Sequence, residues 1–284
     1  MVSPLSKKLR GTLKRVIPQC AMISQAIAFN MFLALFAILL IVLSLMKSSL
    51  EGRAGQDLTT RLSEILPPGS WQLVSDTLLR PEVKSWYLAL FGWVGMLLVG
   101  TQMMKLIIKG VELIHGESEG HSFLRRQLRA LLLFLLTSVV WFGVVALTVF
   151  GLPSRQWITH RLGKSSLANS FWTILLPILA MILETLVLAL IYRFARPRAA
   201  KWSSVLPGAV GATTLWWGLN LLFGIYVRKT QYGPVYGGLA AAIGLMLWME
   251  FSAMIVFLGA AWNAESTAKV TKLTTQHVGS DCQS

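Results

Sequence analysis

The chain has 284 residues, of which 55% are hydrophobic and 13% charged, with a mean hydropathy of +0.62. A soluble domain carries close to a quarter charged residues, so this composition excludes an ordinary soluble fold and makes a membrane class the default. The net charge of +14, from 26 Lys and Arg against 12 Asp and Glu, would point to a polyanion in a soluble protein, but in a membrane protein it first marks cytoplasmic loops.

Lys7, Lys8, Arg10, Lys14 and Arg15 open the chain, and Val16 to Met46 follows without a charge. That run is too long for the apolar part of a cleaved signal peptide and no small-residue cleavage site follows it, so it is expected to be a retained first span. A hydrocarbon core about 30 Å thick needs roughly 20 apolar helical residues. Six segments qualify, near 26–46, 86–106, 130–151, 172–192, 206–227 and 236–261. The alternating strands of a membrane barrel are absent from the pattern. The expectation is an all-α integral membrane protein with six transmembrane helices. Residues 1–25 form a basic N-terminal segment, 26–264 the six-span domain, and 265–284 a loose polar tail.

Between spans 1 and 2, Leu58, Leu62, Ile65 and Leu66 share one helical face before Pro67-Pro68-Gly69 breaks the chain, and Trp71, Leu73, Val74, Leu78 and Leu79 follow. Two short amphipathic helices on the outer surface fit this pattern, capping the bundle or gating a cavity.

Alternate loops face opposite compartments, which sorts the charges by side. With the N-terminus inside, the five basic residues before span 1 join Lys105, Lys109, Arg125, Arg126 and Arg129, then Arg193, Arg196, Arg198 and Lys201, then Lys269 and Lys272, sixteen in all. The opposite side holds ten, half of them in the long loop 1–2, where five acidic residues offset them. Both termini are therefore expected in the cytoplasm. Cys20 and Cys282 offer no disulfide framework and are expected to be free thiols in a reducing compartment, reactive to impermeant reagents only from inside.

From Lys201 to Glu265, Leu206-Pro207-Gly208 opens span 5 and Tyr226 lies near its end. Tyr232-Gly233 and Val235-Tyr236-Gly237 open span 6, which carries Trp248 and then Leu258-Gly259-Ala260. Ala28-Phe29 and Leu35-Phe36 in span 1 extend the pattern. In these landmarks the chain resembles the BrkB/YihY family of bacterial inner-membrane proteins, once labelled ribonuclease BN. Three positions depart from the family pattern: Ala37 stands where a proline is usual, Glu250 where a tyrosine is, and Ala261 where an acidic residue is. The resemblance implies six helices in the inner membrane with cytoplasmic termini, and no settled activity.

Two carboxylates fall at mid-span, Glu184 and Glu250. An ionised carboxylate in hydrocarbon costs several kcal/mol, so each must be protonated, paired or facing water inside the bundle. One reading is a proton or cation relay along a polar path with Asn30, Gln25, Gln102 and Asn220; the other is that both carboxylates only hydrogen-bond between helices and fix packing. Because Glu250 replaces the family tyrosine, Glu184 is the stronger candidate. Pro177 lies two turns before Glu184. Pro207 and Gly208 mark a helix start or hinge, and with Gly211, Gly218, Gly224, Gly237, Gly238 and Gly244 they suggest close packing of spans 5 and 6.

Trp86, Trp157, Trp172, Trp202 and Trp262 are expected to anchor span ends, while Trp216, Trp217 and Trp248 lie deeper, within the bundle or against lipid. His115, Glu117, Glu119 and His121 gather in loop 2–3, but their spacing matches no metal motif and reads as a solvated loop. Walker A, nucleotide-binding glycine, G-x-S-x-G and zinc-protease patterns are absent from the sequence. No cofactor, catalytic or metal site is expected. The expected partners are membrane lipids and a small-molecule or lipid substrate, without nucleic acid; a homo-oligomer stays open. The leading functional reading is a transporter or flippase-like protein for an envelope lipid or small solute. The alternatives are a structural or accessory membrane protein and, less favoured, a ribonuclease.

Overall fold

The computed structural model describes the backbone of residues 4–49, 84–116, 123–162, 166–196, 200–229 and 237–281, and the side chains of 20–45, 84–116, 123–143, 175, 177–196, 200–229 and 240–266. Six α-helices make up these residues: α1 Pro4–Ser49, α2 Ser85–His115, α3 Phe123–Leu162, α4 Ser166–Phe194, α5 Trp202–Lys229 and α6 Gly237–Asp281. Each covers one of the six expected spans.

Five stretches are long and apolar enough to cross a membrane: Cys20–Leu45, Ser85–His115, Pro177–Phe194, Trp202–Lys229 and Ala240–Ser266. In α3 the backbone is helical across 130–151, but its side chains are described only to Gly143. The amphipathic helices expected between spans 1 and 2 lie outside the described residues.

The helices run well past the spans. At 1.5 Å per residue the 46 residues of α1 reach about 69 Å, twice a hydrocarbon core. The tail, expected to be loose, continues α6 to Asp281. Ala264 to Lys272 holds no proline or glycine to stop the hydrogen-bond ladder, and a helix already nucleated in the membrane extends one residue at a time at little cost.

The packing order follows the chain. Each helix lies against the next, α6 returns to pack along α1, and α2 also touches α6, so the six form a closed ring. Short connections between long helices favour such neighbours. The outward surface is apolar, with Phe91 68%, Val139 71% and Leu222 69% exposed, the inverse of a water-soluble bundle and the surface that hydrocarbon requires. Inside, Phe257 of α6 fills the space left by Gly110 of α2, where an added Cβ would collide with its ring.

Cys20 is fully buried in this core beside α1's neighbours. The expectation that a thiol reagent reaches it from the cytoplasmic side is therefore corrected, because close packing bars a bulky reagent whatever the compartment. Cys282 lies outside the described residues.

At the end of the bundle where α2 and α4 finish, Arg129 of α3 ties three helices together. Its guanidinium donates to the Phe194 carbonyl at 2.8 and 3.1 Å and to the Arg196 carbonyl, and it sits 3.8 Å from Glu112 of α2. The carbonyls at a helix C-terminus have no partner within the helix, and a cation there satisfies them. Gly116 closes α2 in the left-handed region, at φ 67°, with its N–H donating to the Leu113 carbonyl.

Candidate functional site

A cavity of about 190 Å³ lies within the ring, and every helix contributes to its wall. Ile27 and Met31 come from α1, Met103 and Ile107 from α2, Trp141 from α3, Glu184, Val187, Leu188 and Ile191 from α4, Thr213 and Trp216 from α5, and Ser252, Ala253, Ile255 and Val256 from α6. Among these lining residues Glu184 is the one ionisable group. Apolar walls with a few convergent polar groups are the usual make-up of a small-molecule site.

Three tryptophans organise the polar groups around it. Trp217 donates its indole N–H to Glu184 Oε2 at 2.6 Å, joining α5 to α4. Trp216 donates to Ser252 Oγ at 3.0 Å and Trp248 to Asn220 Oδ1 at 2.9 Å, both joining α5 and α6. The Trp216 and Trp248 rings lie 6.4 Å apart, and Phe223 sits 5.8 Å from Trp248. Below them Thr185 donates to Thr213 Oγ1 at 3.1 Å. A buried indole carries one donor and no acceptor. It therefore seeks an oxygen across the helix interface, which is why all three aromatic residues settle on polar partners rather than on lipid.

A second feature clamps α5 to α6 at the end near Trp202. Pro207 removes one N–H from the helical ladder and its ring crowds the carbonyl four residues back. The adjacent Gly208 N–H donates to Asn263 Oδ1 at 2.7 Å, and Asn263 Nδ2 donates to the Val205 carbonyl at 3.0 Å. Asn263, 3% exposed, thus supplies one acceptor and one donor to the backbone around the proline. Gly208 and Gly259 let the two backbones approach. A Cβ on Gly259 would meet the Gly208 carbonyl at 2.7 Å and Ala212 Cβ at 2.8 Å. The Tyr192 hydroxyl donates to the Val256 carbonyl at 2.7 Å alongside.

The residues singled out from the sequence separate in space. Glu184 lines the central cavity, and Asn220 belongs to the tryptophan layer beside it. Glu250 lies apart, in a crevice between α1 and α6 with Gln25, Ala28, Ile243, Met246 and Leu247. Asn30 turns back on its own helix and donates to the Ala26 carbonyl at 2.7 Å. Gln102 is on the exposed side of α2. The structure therefore brings two of the six polar residues, Glu184 and Asn220, to the cavity and the tryptophan layer beside it, and places Glu250, Gln25, Asn30 and Gln102 elsewhere.

Pro177 is exposed within an uninterrupted α4, and Pro207 and Gly208 act in packing; Gly237 begins α6. Gly211 and Gly218 face open space, so the close approach of α5 to α6 uses Gly208 rather than the whole glycine series. His115 Nδ1 bonds the Val111 carbonyl at 2.9 Å, while Glu117, Glu119 and His121 lie outside the described residues.

Sequence reasoning missed Asn263. Its signal was present: it stands four residues after Gly259 and three after Ala260, on the face that small residues bring closest to a neighbour.

A family model described as Virulence factor BrkB matches residues 18–279. The chain is similar to the ribonuclease-like protein YfkH of Bacillus subtilis (strain 168), with 26% identity over 245 residues that cover 85% of this chain and 88% of that protein. It is also similar to UPF0761 membrane proteins of Xanthomonas campestris pv. campestris (strain B100), 32% identical over 126 residues, and of Xanthomonas oryzae pv. oryzae (strain PXO99A), 32% identical over 119 residues. Those matches cover 44% and 42% of this chain but 27% and 25% of the relatives, so the chain spans about a quarter of the length of these Xanthomonas proteins. No solved structure matches.

Proposed function

The chain belongs to the BrkB family of membrane proteins, and from that premise we propose that it is an inner-membrane transporter or flippase-like protein, with both termini cytoplasmic, that handles a lipid, amphiphile or small solute. The observation that carries the reading is the central cavity, walled by all six helices and holding Glu184 against the Trp217 indole. Its lining offers a carboxylate, hydroxyls and apolar surface without a Lys or Arg. A neutral or cationic group with an apolar body suits that environment better than an anion. The reading gives the chain no enzymatic role.

The test uses purified protein reconstituted in liposomes, with dithionite access to a fluorescent phospholipid reporting lipid exchange and an internal dye reporting proton flux. Wild-type protein is expected to accelerate at least one of the two over empty vesicles. Glu184→Gln is expected to reduce that rate about tenfold, the worth of one charge-assisted contact. A folded Glu184→Gln protein with unaltered flux would sink the role of Glu184, and metal-dependent digestion of RNA by the purified protein would overturn the non-enzymatic reading.

A second reading, a structural or accessory membrane protein, is favoured by one fact. Glu184, Asn220, Ser252 and Thr185 each already hold a partner across a helix interface, as packing alone would require. Under it, Glu184→Gln changes the unfolding midpoint and no flux.

Orientation has its own measurement. With Cys20 buried, an impermeant maleimide reports on Cys282 alone: labelling is expected in inverted vesicles and not in intact cells. Labelling from outside the cell would reverse the proposed topology.

A further inference from the structure

At the end of α4, the guanidinium of Arg193 stacks over the Trp202 ring, with its central carbon 4.6 Å from the ring centroid and 5.8 Å from that of Phe194. Its Nε is buried and makes no hydrogen bond, and among the described residues no carboxylate pairs with the side chain. The neighbouring cation differs: Arg129 bonds two carbonyls and approaches Glu112. No acidic residue stands in the first turn of α5, where Trp202 lies. Among the described residues, Arg193 is therefore a partly dehydrated cation without a counter-ion. Taking a charge out of water is costly unless an opposite charge replaces the lost hydration. Of the Arg193 nitrogens, Nε is the one that is both buried and without a partner; the two terminal nitrogens do not share that state.

Position then selects the anion. Arg193 is the penultimate residue of the span Pro177–Phe194, and Trp202 is the first of the span Trp202–Lys229. Tryptophan at a span end sits at headgroup depth, and an arginine beside it extends toward the same layer. The anion present there at high concentration is the lipid phosphate. A guanidinium fork matches two phosphate oxygens through parallel N–H donors, while the indole holds its plane upright.

We infer that Arg193 and Trp202 form a binding site for the phosphate of an anionic phospholipid at the junction of α4 and α5. The site stands at the edge of the bundle and is independent of the central cavity, so it holds whether or not the protein transports anything. By occupying the terminal nitrogens of Arg193, the bound headgroup supplies the missing counter-charge at the end of α4, where Arg129 holds the Phe194 and Arg196 carbonyls.

Native mass spectrometry of the full-length detergent-purified protein, titrated with phosphatidylglycerol, tests this. Arg193→Ala is expected to weaken binding about tenfold, as one lost charge-assisted pair would. Trp202→Leu, which removes stacking but no charge, is expected to weaken it about threefold. Arg193→Lys, a point charge without the fork, keeps the protein folded and binds at an intermediate level. Lys109→Ala, a change in another basic residue, leaves binding unchanged. Wild-type affinity in Arg193→Ala, or a loss from Lys109→Ala equal to that from Arg193→Ala, overturns the site. Displacement of phosphatidylglycerol by millimolar inorganic phosphate also overturns it, assigning the guanidinium to a soluble anion instead.

Discussion

Replacing Gly208 with alanine is expected to lower the unfolding midpoint of the purified protein, whereas Gly211→Ala, one turn along the same helix, leaves it unchanged or raises it. A Cβ at Gly208 would enter the space of the Gly259 carbonyl oxygen and the Asn263 side-chain amide, while one at Gly211 would meet nothing. Overpacking of a tight contact costs about 1–3 kcal/mol, and the upper end applies where the obstacle is backbone that cannot rotate away. Alanine returns up to about 1 kcal/mol of helix propensity at either position. The clash wins at Gly208, for a net loss of about 2 kcal/mol or a fall of roughly 4–8 °C. At Gly211 only the gain remains. Thermal unfolding in detergent followed by intrinsic fluorescence measures both, and equal midpoints for the two variants would contradict the packing of α5 on α6.

The second large effect belongs to Asn263. Asn263→Leu removes an acceptor from the Gly208 N–H and a donor from the Val205 carbonyl in one step, in a place closed to water. Hydrogen bonds between helices in membranes are worth on average roughly 0.6 kcal/mol, because freed groups find other partners. Here the partners are backbone atoms beside a proline, held under the Gly208–Gly259 contact, and leucine offers neither of them a hydrogen bond. The expected cost is about 2 kcal/mol, the range of a buried polar group left unsatisfied. Combined with Gly208→Ala the loss should be less than additive, since both changes disrupt one contact. Strict additivity in the same unfolding assay would show that the amide and the glycine act separately.

Family membership agrees with the landmarks read from the chain. Leu206-Pro207-Gly208 and Leu258-Gly259-Ala260, which carry the resemblance, prove to be the two sides of one contact. In the sequence they look like independent punctuation. Their meaning as a pair, with Asn263 between the two backbones, depends on which face of α6 meets α5.

The mid-span polar residues divide in a similar way. Glu184 and Glu250 were both conspicuous because a carboxylate in an apolar run is costly wherever it points. Which of them reaches the central cavity depended on helix rotation: Glu184 faces inward beside Trp217, and Glu250 faces a crevice near Gln25. Gln102 had the same claim as Asn220, and its helix turns it outward.

The sequence by itself determined that the chain is an all-α membrane protein and which residues are anomalous inside its apolar segments. Each of these follows from the transfer cost of individual side chains into hydrocarbon, a local quantity that sums along the chain. The tertiary structure alone decided the ring order of the helices, the cavity behind Glu184, the pairing of each deep indole with its oxygen, and the clamp of Asn263 on Gly208. Those depend on contacts between residues 28 to 55 positions apart. Lipid is as apolar as the helix surfaces, so burial of apolar area does little to choose among faces, and the choice falls to small residues and hydrogen bonds whose partners exist only once the helices have met.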